Sequence, residues 1–242
     1  VNDLRDEAVV LRTYRSGEAD RIVVLWTREH GKVRAIAKGV RKPTSKIGGG
    51  LEPMAHVQVF LAEGRGDLAI VRQVTHHERF ATLRASYERL MNAMAILEVV
   101  DAIPLDDVAD EEIFVMLVRS LQTLDNGEFF PDLVPAAFFL KLLVYDGSEP
   151  VLDECVSCGS TGPLVAFDAE SGGVTCANCR RGRPMSDDAL DLMRRILGGD
   201  LASVLREQAP AGTVEVSALA HEAIERHFGR RLKVLRASPP MT

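Results

Sequence analysis

Apolar and polar positions alternate at a spacing of two through the first 76 residues and then recur at three and four. The chain therefore changes from a strand-forming to a helix-forming pattern near residue 79. Residues 7–14, 21–27, 31–37, 56–61 and 68–75 are short runs rich in Val, Ile, Leu and Thr, each long enough for one strand. Their separators are turn-forming: Ser16-Gly17-Glu18-Ala19-Asp20, Glu29-His30-Gly31, a long 39–53 connection with Gly48-Gly49-Gly50, and Glu63-Gly64-Arg65-Gly66-Asp67, which reads as a hairpin tip. Five strands with one long connection predict a small closed Greek-key barrel of the OB type, a fold whose strand faces and loops bind single-stranded nucleic acid. An SH3-like barrel fits the same strand count.

In the second pattern Phe80, Leu83, Tyr87, Leu90, Met91, Met94, Leu97, Val100 and Ile103 keep helical spacing. They predict one long amphipathic helix over 78–103, stopped by Pro104. Helices over 110–124 and 131–145 follow, the first opening on Asp110-Glu111-Glu112, the second with Pro131 near its start and Gly147 just past its end. A helix over 186–197, with Ser186 as N-cap ahead of Asp187-Asp188, and another over 217–228 complete a bundle. Between these two lie a short helix from Asp200 and a loop at Ala209-Pro210-Ala211-Gly212. The predicted class is α+β and multidomain: an OB-type β-barrel over 1–78, then an α-helical domain over 79–242, interrupted by an insertion at about 150–185.

The insertion contains all four cysteines of the chain, in the pairs Cys155-Val-Ser-Cys158 and Cys176-Ala-Asn-Cys179, 17 residues apart. Two C-x2-C knuckles at that separation are the spacing of one tetrahedral zinc site, and Gly159 suits a knuckle that needs a residue tolerant of positive φ. Three other readings compete. Two disulfides need an oxidising compartment and a strained ring, a thioredoxin-like pair leaves the other two cysteines idle, and a catalytic zinc needs an open position that four thiolates fill. Cys155, Cys158, Cys176 and Cys179 are accordingly expected to hold one structural Zn2+ per chain, which by itself names no function.

Charge changes the picture more than composition does. With 46% hydrophobic and 26% charged residues the chain is ordinary globular material, and its apolar runs are too short or too interrupted to cross a bilayer. No charged-then-apolar leader opens it, so a cytoplasmic protein is expected. The net charge of −6 is unevenly spread: residues 1–76 carry 13 Lys and Arg against 9 Asp and Glu, and the remaining 166 carry 16 against 26. Lys32, Arg34, Lys38, Arg41, Lys42 and Lys46 follow one another with no acid between them, a local positive field suited to tracking phosphates. Lys32 and Arg34 alternate along a strand and so share a face. The competing reading of the run is a solvated loop. Tyr14, Trp26 and Phe60 are candidates to stack bases, or else barrel core.

Other residues carry no chemistry. His221-Glu222 with His227 lacks the spacing of a metalloprotease helix, Gly64-Arg65-Gly66 lacks the third glycine of a dinucleotide site, and His76-His77 are expected on a strand-to-helix turn. No nucleophile, base and orienting acid assemble into a set, so the chain is not expected to be an enzyme.

In chain order, Lys38-Gly39-Val40-Arg41-Lys42, Gly50-Leu51-Glu52-Pro53, the run 140–147 with Pro150, Cys155-Val-Ser-Cys158-Gly159 and the ending 224–233 resemble the bacterial RecO recombination mediator proteins. The resemblance covers nearly the whole chain and lies in order and spacing more than in any one motif. It implies a DNA repair and homologous recombination protein that binds single- and double-stranded DNA and anneals complementary strands. With the ring-forming partner RecR, such a protein helps load RecA onto strands coated by single-strand binding protein (SSB), in the bacterial cytoplasm at the nucleoid. The tail with Pro239-Pro240 does not match that pattern. An acidic SSB C-terminal tail is expected to dock on the helical domain, with Arg119, Lys141, Arg230 and Arg231 as candidate basic contacts because they lie on predicted helices or helix ends near apolar residues. Two other classes remain open: a zinc-stapled scaffold that docks acidic protein tails with only incidental nucleic-acid binding, and a zinc-dependent enzyme.

Overall fold

The computed structural model describes residues 3–42, 45, 47, 50–104 and 109–234. The chain forms two compact units, Val1–Ala85 with Leu97–Asp125, and Ser86–Ile96 with Asn126–Thr242.

The first unit is built on five strands: β1 (Leu4–Ser16), β2 (Asp20–Thr27), β3 (Gly31–Ala37), β4 (His56–Arg65) and β5 (Leu68–Glu78). They close in the order β1-β2-β3-β5-β4. Neighbours pair antiparallel except β3 and β5, whose short parallel ladder Ala35 to Ala69 and Ile36 to Ile70 completes the cylinder, while β4 returns to β1. This is the OB-type barrel expected from the pattern. The period of two fills its interior with Ala8, Val10, Val23, Leu25, Ala35, Ala37, Val57, Val59 and Leu61. The β4–β5 hairpin is tighter than its sequence suggests, because Gly64 lets the strands meet where any Cβ would collide with the Leu68 carbonyl oxygen.

Strand β5 continues through His76 and His77 to Glu78, so the histidines lie on a strand rather than in a turn. The single helix expected over 78–103 is broken into α1 (Ala81–Ala85) and α2 (Tyr87–Val100). Phe80 adopts φ 49° and is buried, turning the chain sharply before α1. Ser86 then starts a new helix, its Oγ accepting from Arg89 N at 3.4 Å and its carbonyl from Leu90 N at 2.9 Å. The expected stripe does not stay buried across the break, since Tyr87 is exposed. Helix α3 (Glu111–Asp125) buries Ile113, Phe114, Leu117, Leu121 and Leu124, one stripe at three and four.

The second unit centres on α4 (Leu133–Tyr145), which is apolar on nearly every side and buried over most of its length. Helices α5 (Asp187–Leu197) and α7 (Thr213–His227) pack against it, and α6 (Leu201–Val204) joins α5. Ser186 caps α5 as expected, its Oγ accepting from Ala189 N at 3.2 Å while its own N–H and O–H donate to Glu215 at 2.8 and 2.9 Å. Helix α7 starts four residues before the expected 217 because Gly212, at φ 80°, turns the chain and Thr213 Oγ1 donates back to the Pro210 carbonyl at 2.7 Å. The insertion forms a three-stranded sheet of β6 (Leu164–Asp168), β7 (Gly173–Cys176) and β8 (Arg183–Pro184), in the order β7-β6-β8. No helix among the described residues is long and apolar enough to cross a membrane.

Candidate functional site

The basic segment after β3 is fixed by three ties to the β1–β2 turn and one to the core. Gly39 N donates to Asp20 Oδ1 at 2.7 Å, Arg41 N to the Ala19 carbonyl at 3.0 Å, and Arg41 Nη1 to the Glu18 carbonyl at 2.8 Å. Val40, the one apolar residue in the run, is buried in the barrel core. Gly39, at φ 64°, allows the turn that Lys42 N closes onto the Gly39 carbonyl at 3.0 Å. Lys38, Arg41 and Lys42 are thereby exposed at the β1–β2 turn end of the barrel.

The outer face of β1, β2 and β3 leads up to that end. Its rows follow from register: Arg12 beside Val24 beside Arg34, then Tyr14 beside Ile22 beside Ile36. Ile36 continues across the parallel ladder to Ile70. Arg34 Nη2 donates to the Tyr14 hydroxyl at 3.0 Å, and the Arg12 guanidinium carbon lies 6.0 Å from the Tyr14 ring centre. Arg72, exposed on β5, is the extra residue where the β4–β5 register shifts, and points outward like Ile70. Arg12 and Arg72 lie outside the basic run and so escaped the sequence reading. What marks Arg12 in the sequence is only its two-residue spacing from Tyr14.

Lys32, expected among the cations that track phosphates, is buried instead. It does share a face with Arg34, but it is 8% exposed, and its Nζ donates to the carbonyl oxygens of Asp101, at 2.9 Å, and Ile103. The turn that follows α2 covers Lys32, and the ammonium satisfies carbonyls of that turn. Arg12 is tied to the same turn through Asp101, Nε to Oδ2 3.2 Å. Lys46 and the Pro239-Pro240 tail lie outside the described residues. Of the three aromatics, Trp26 is buried core, Phe60 is half-buried with the Arg5 guanidinium carbon 5.6 Å from its ring centre, and Tyr14 is 38% exposed.

The expected tail-docking cations lie on different elements. Arg119 is exposed on α3 of the first unit; in the second, Lys141 is half-buried on α4, and Arg230 and Arg231 are exposed beyond α7.

Cys155, Cys158, Cys176 and Cys179 bring their sulfurs within 4.8 Å of one another, the only such group of metal-ligating side chains among the described residues. The Sγ atoms of Cys158 and Cys176 are 3.7 Å apart, close to the roughly 3.8 Å edge of a tetrahedron with metal–sulfur bonds of about 2.3 Å. Each pair is a tight turn: Cys158 N and Gly159 N donate to the Cys155 carbonyl at 3.3 and 2.8 Å, with Gly159 at φ 70°, and Cys179 N donates to the Cys176 carbonyl at 3.1 Å. Thr175, buried on β7, fixes the second turn by donating to the Arg181 carbonyl at 3.0 Å and accepting from Arg181 N at 3.3 Å. Backbone hydrogen bonding from Cys176 foremost brings the Cys155 thiol down to about 6, whereas hydrogen bonds shared with Cys158 and Cys176 push Cys179 up to about 12. Four sulfurs this close can all be thiolates only around a cation, so the set fits a closed, soft-metal site with no open position for chemistry.

Two family models match the chain: the N-terminal part of recombination protein O over residues 1–80, and its C-terminal part over residues 84–236.

Proposed function

Because the chain belongs to the recombination protein O family, whose general role is DNA repair and recombination, we propose that it is a non-enzymatic mediator that binds DNA strands on its barrel and anneals them. The observation that carries this reading is the fixed basic segment: Lys38, Arg41 and Lys42 are exposed and pinned at the end of the barrel to which the face of Arg34 and Tyr14 leads. Three cations at one end of an OB-type barrel, with Arg34 on the strand face that leads up to it, suit a phosphate backbone, whose condensed counterions they release. Arg34, Lys38, Arg41 and Lys42 are the proposed phosphate contacts, with Lys46 an open member of the same run and Lys32 left out.

Both single- and double-stranded DNA are proposed ligands. Cooperation with RecR, capture of the acidic SSB tail by basic groups such as Lys141, Arg230 and Arg231, and RecA loading onto SSB-coated strands are the finer parts of the proposal, and they rest on family membership. The metal proposed for the four cysteines is Zn2+, which fits thiolate ligands, tetrahedral spacing and a closed shell. The ion would hold the two knuckles together and supply no catalytic step.

Purified protein mixed with complementary oligonucleotides in the absence of ATP is expected to accelerate their annealing, followed by strand-exchange fluorescence. A protein that leaves the rate at its spontaneous value, and whose weak DNA binding is competed away by an acidic peptide, would instead be a docking scaffold.

A further inference from the structure

We propose that Tyr14 is a base-stacking platform that makes this barrel face discriminate unpaired from paired strands; the inference rests on the DNA-binding reading above and adds to it a selector separate from the phosphate contacts. Tyr14 is one of six large apolar side chains left exposed among the described residues, and of these the one on the barrel strands. It stands opposite Ile22 on β2, and it is held rather than loose. Its hydroxyl is tied to Arg34, and the Arg12 guanidinium lies over its ring, 6.0 Å from the ring centre, itself held by the nearly buried carboxylate of Asp101. Around it Ile22, Ile36 and Ile70 form a half-buried aliphatic strip.

The arrangement has the two elements that single-strand binding needs: a partly exposed aromatic ring and two guanidinium groups next to it for phosphates, Arg12 over the ring and Arg34 at its hydroxyl. A duplex cannot use the ring, since its bases are already stacked on one another, yet it can use the cations. The cations should therefore serve both kinds of DNA, and the ring only one. Because the ring is fixed before any strand arrives, little side-chain freedom is lost on binding.

The test compares the full-length wild type with Tyr14→Ala, Tyr14→Phe and Tyr14→Leu for binding to labelled oligo-dT and to a blunt duplex of equal length, each across a salt series. Tyr14→Ala is expected to lose roughly 5- to 150-fold in affinity for oligo-dT, the range of one base stack. Its affinity for the duplex should fall no further than that of Tyr14→Phe, which loses the same hydroxyl bond to Arg34, and the slope of log affinity against log salt should be the same for both variants on both ligands. Tyr14→Phe should retain most of the single-strand affinity, and Tyr14→Leu should behave like the alanine variant. Trp26, the only tryptophan of the chain and buried on β2 opposite Lys32, reports through its emission that each variant is folded. Equal losses on both ligands, an unaffected oligo-dT affinity, or full rescue by leucine would each overturn the inference. If Tyr14→Ala is silent while removal of Lys38, Arg41 and Lys42 weakens binding, the stacking role alone fails. If the wild type binds neither ligand, the DNA-binding reading fails with it.

Discussion

At the scale of single residues, Lys32 shows how one cation can be withdrawn from a binding surface and given to the fold. Its ammonium closes the turn that follows α2 by donating to the Asp101 and Ile103 carbonyls, a place where positive charge is favoured. Lys32→Met keeps the aliphatic stem and leaves those carbonyls short of a donor. The expected cost is about 1–3 kcal/mol of stability, measured by urea unfolding followed through Trp26 emission. The salt slope of DNA binding should be unchanged if the ammonium stays on those carbonyls rather than on phosphate. A variant of wild-type stability with a reduced slope would return Lys32 to the DNA track. Arg12 is the converse case: an arginine outside the basic run that the register places beside Arg34 and Tyr14.

At the scale of elements, the 38–42 segment behaves as part of the barrel rather than as a free loop. Val40 in the core and the bonds to Glu18, Ala19 and Asp20 hold it at the β1–β2 turn. Replacing Lys38, Arg41 and Lys42 together by Ala is expected to flatten the salt slope on single strands by about two units, at about 0.7 for each phosphate no longer neutralised. Binding should weaken almost equally on mixed-sequence and oligo-dT strands, since phosphate contacts carry no base information. A wild-type slope in this triple variant would move the DNA surface elsewhere, with exposed Arg180, Arg181 and Arg183 of the insertion the next candidates. Two of those three already face acids, Arg181 near Asp168 at 4.0 Å and Arg183 on Glu222 at 2.9 Å, which favours the barrel segment.

At the scale of the whole molecule, the barrel and the cysteine insertion belong to different compact units and report separately. Chelation, or the double substitution Cys176→Ser and Cys179→Ser, is expected to abolish metal content and to unfold the region of 150–185 first, because metal binding there is also folding energy. Trp26 emission should persist while protease sensitivity appears around the knuckles. The sign with pH follows from ligand protonation: all four sulfurs must lose their protons to bind, so chelation should become easier as pH falls. Full metal content in the double variant would refute the ligand assignment.

Much of this architecture was legible in the sequence because it depends on short-range periodicity. Alternation at two located all five strands, spacing at three and four gave the stripe of α3, Ser186 marked the start of α5, and the two C-x2-C pairs anticipated a cluster of four sulfurs. Those features are set by strand and helix geometry and by the turns a few residues can make. What only the tertiary structure decided are relations between residues far apart in the chain. Ile36 had to meet Ile70 to close the barrel, the turn after α2 had to cover Lys32 while leaving Arg34 open, and Arg41 had to reach back to Glu18. A cation's spacing along a strand fixes the face it is on, but whether that face is buried depends on which distant segment packs over it, and that choice is made by the burial of the whole unit rather than by any local pattern.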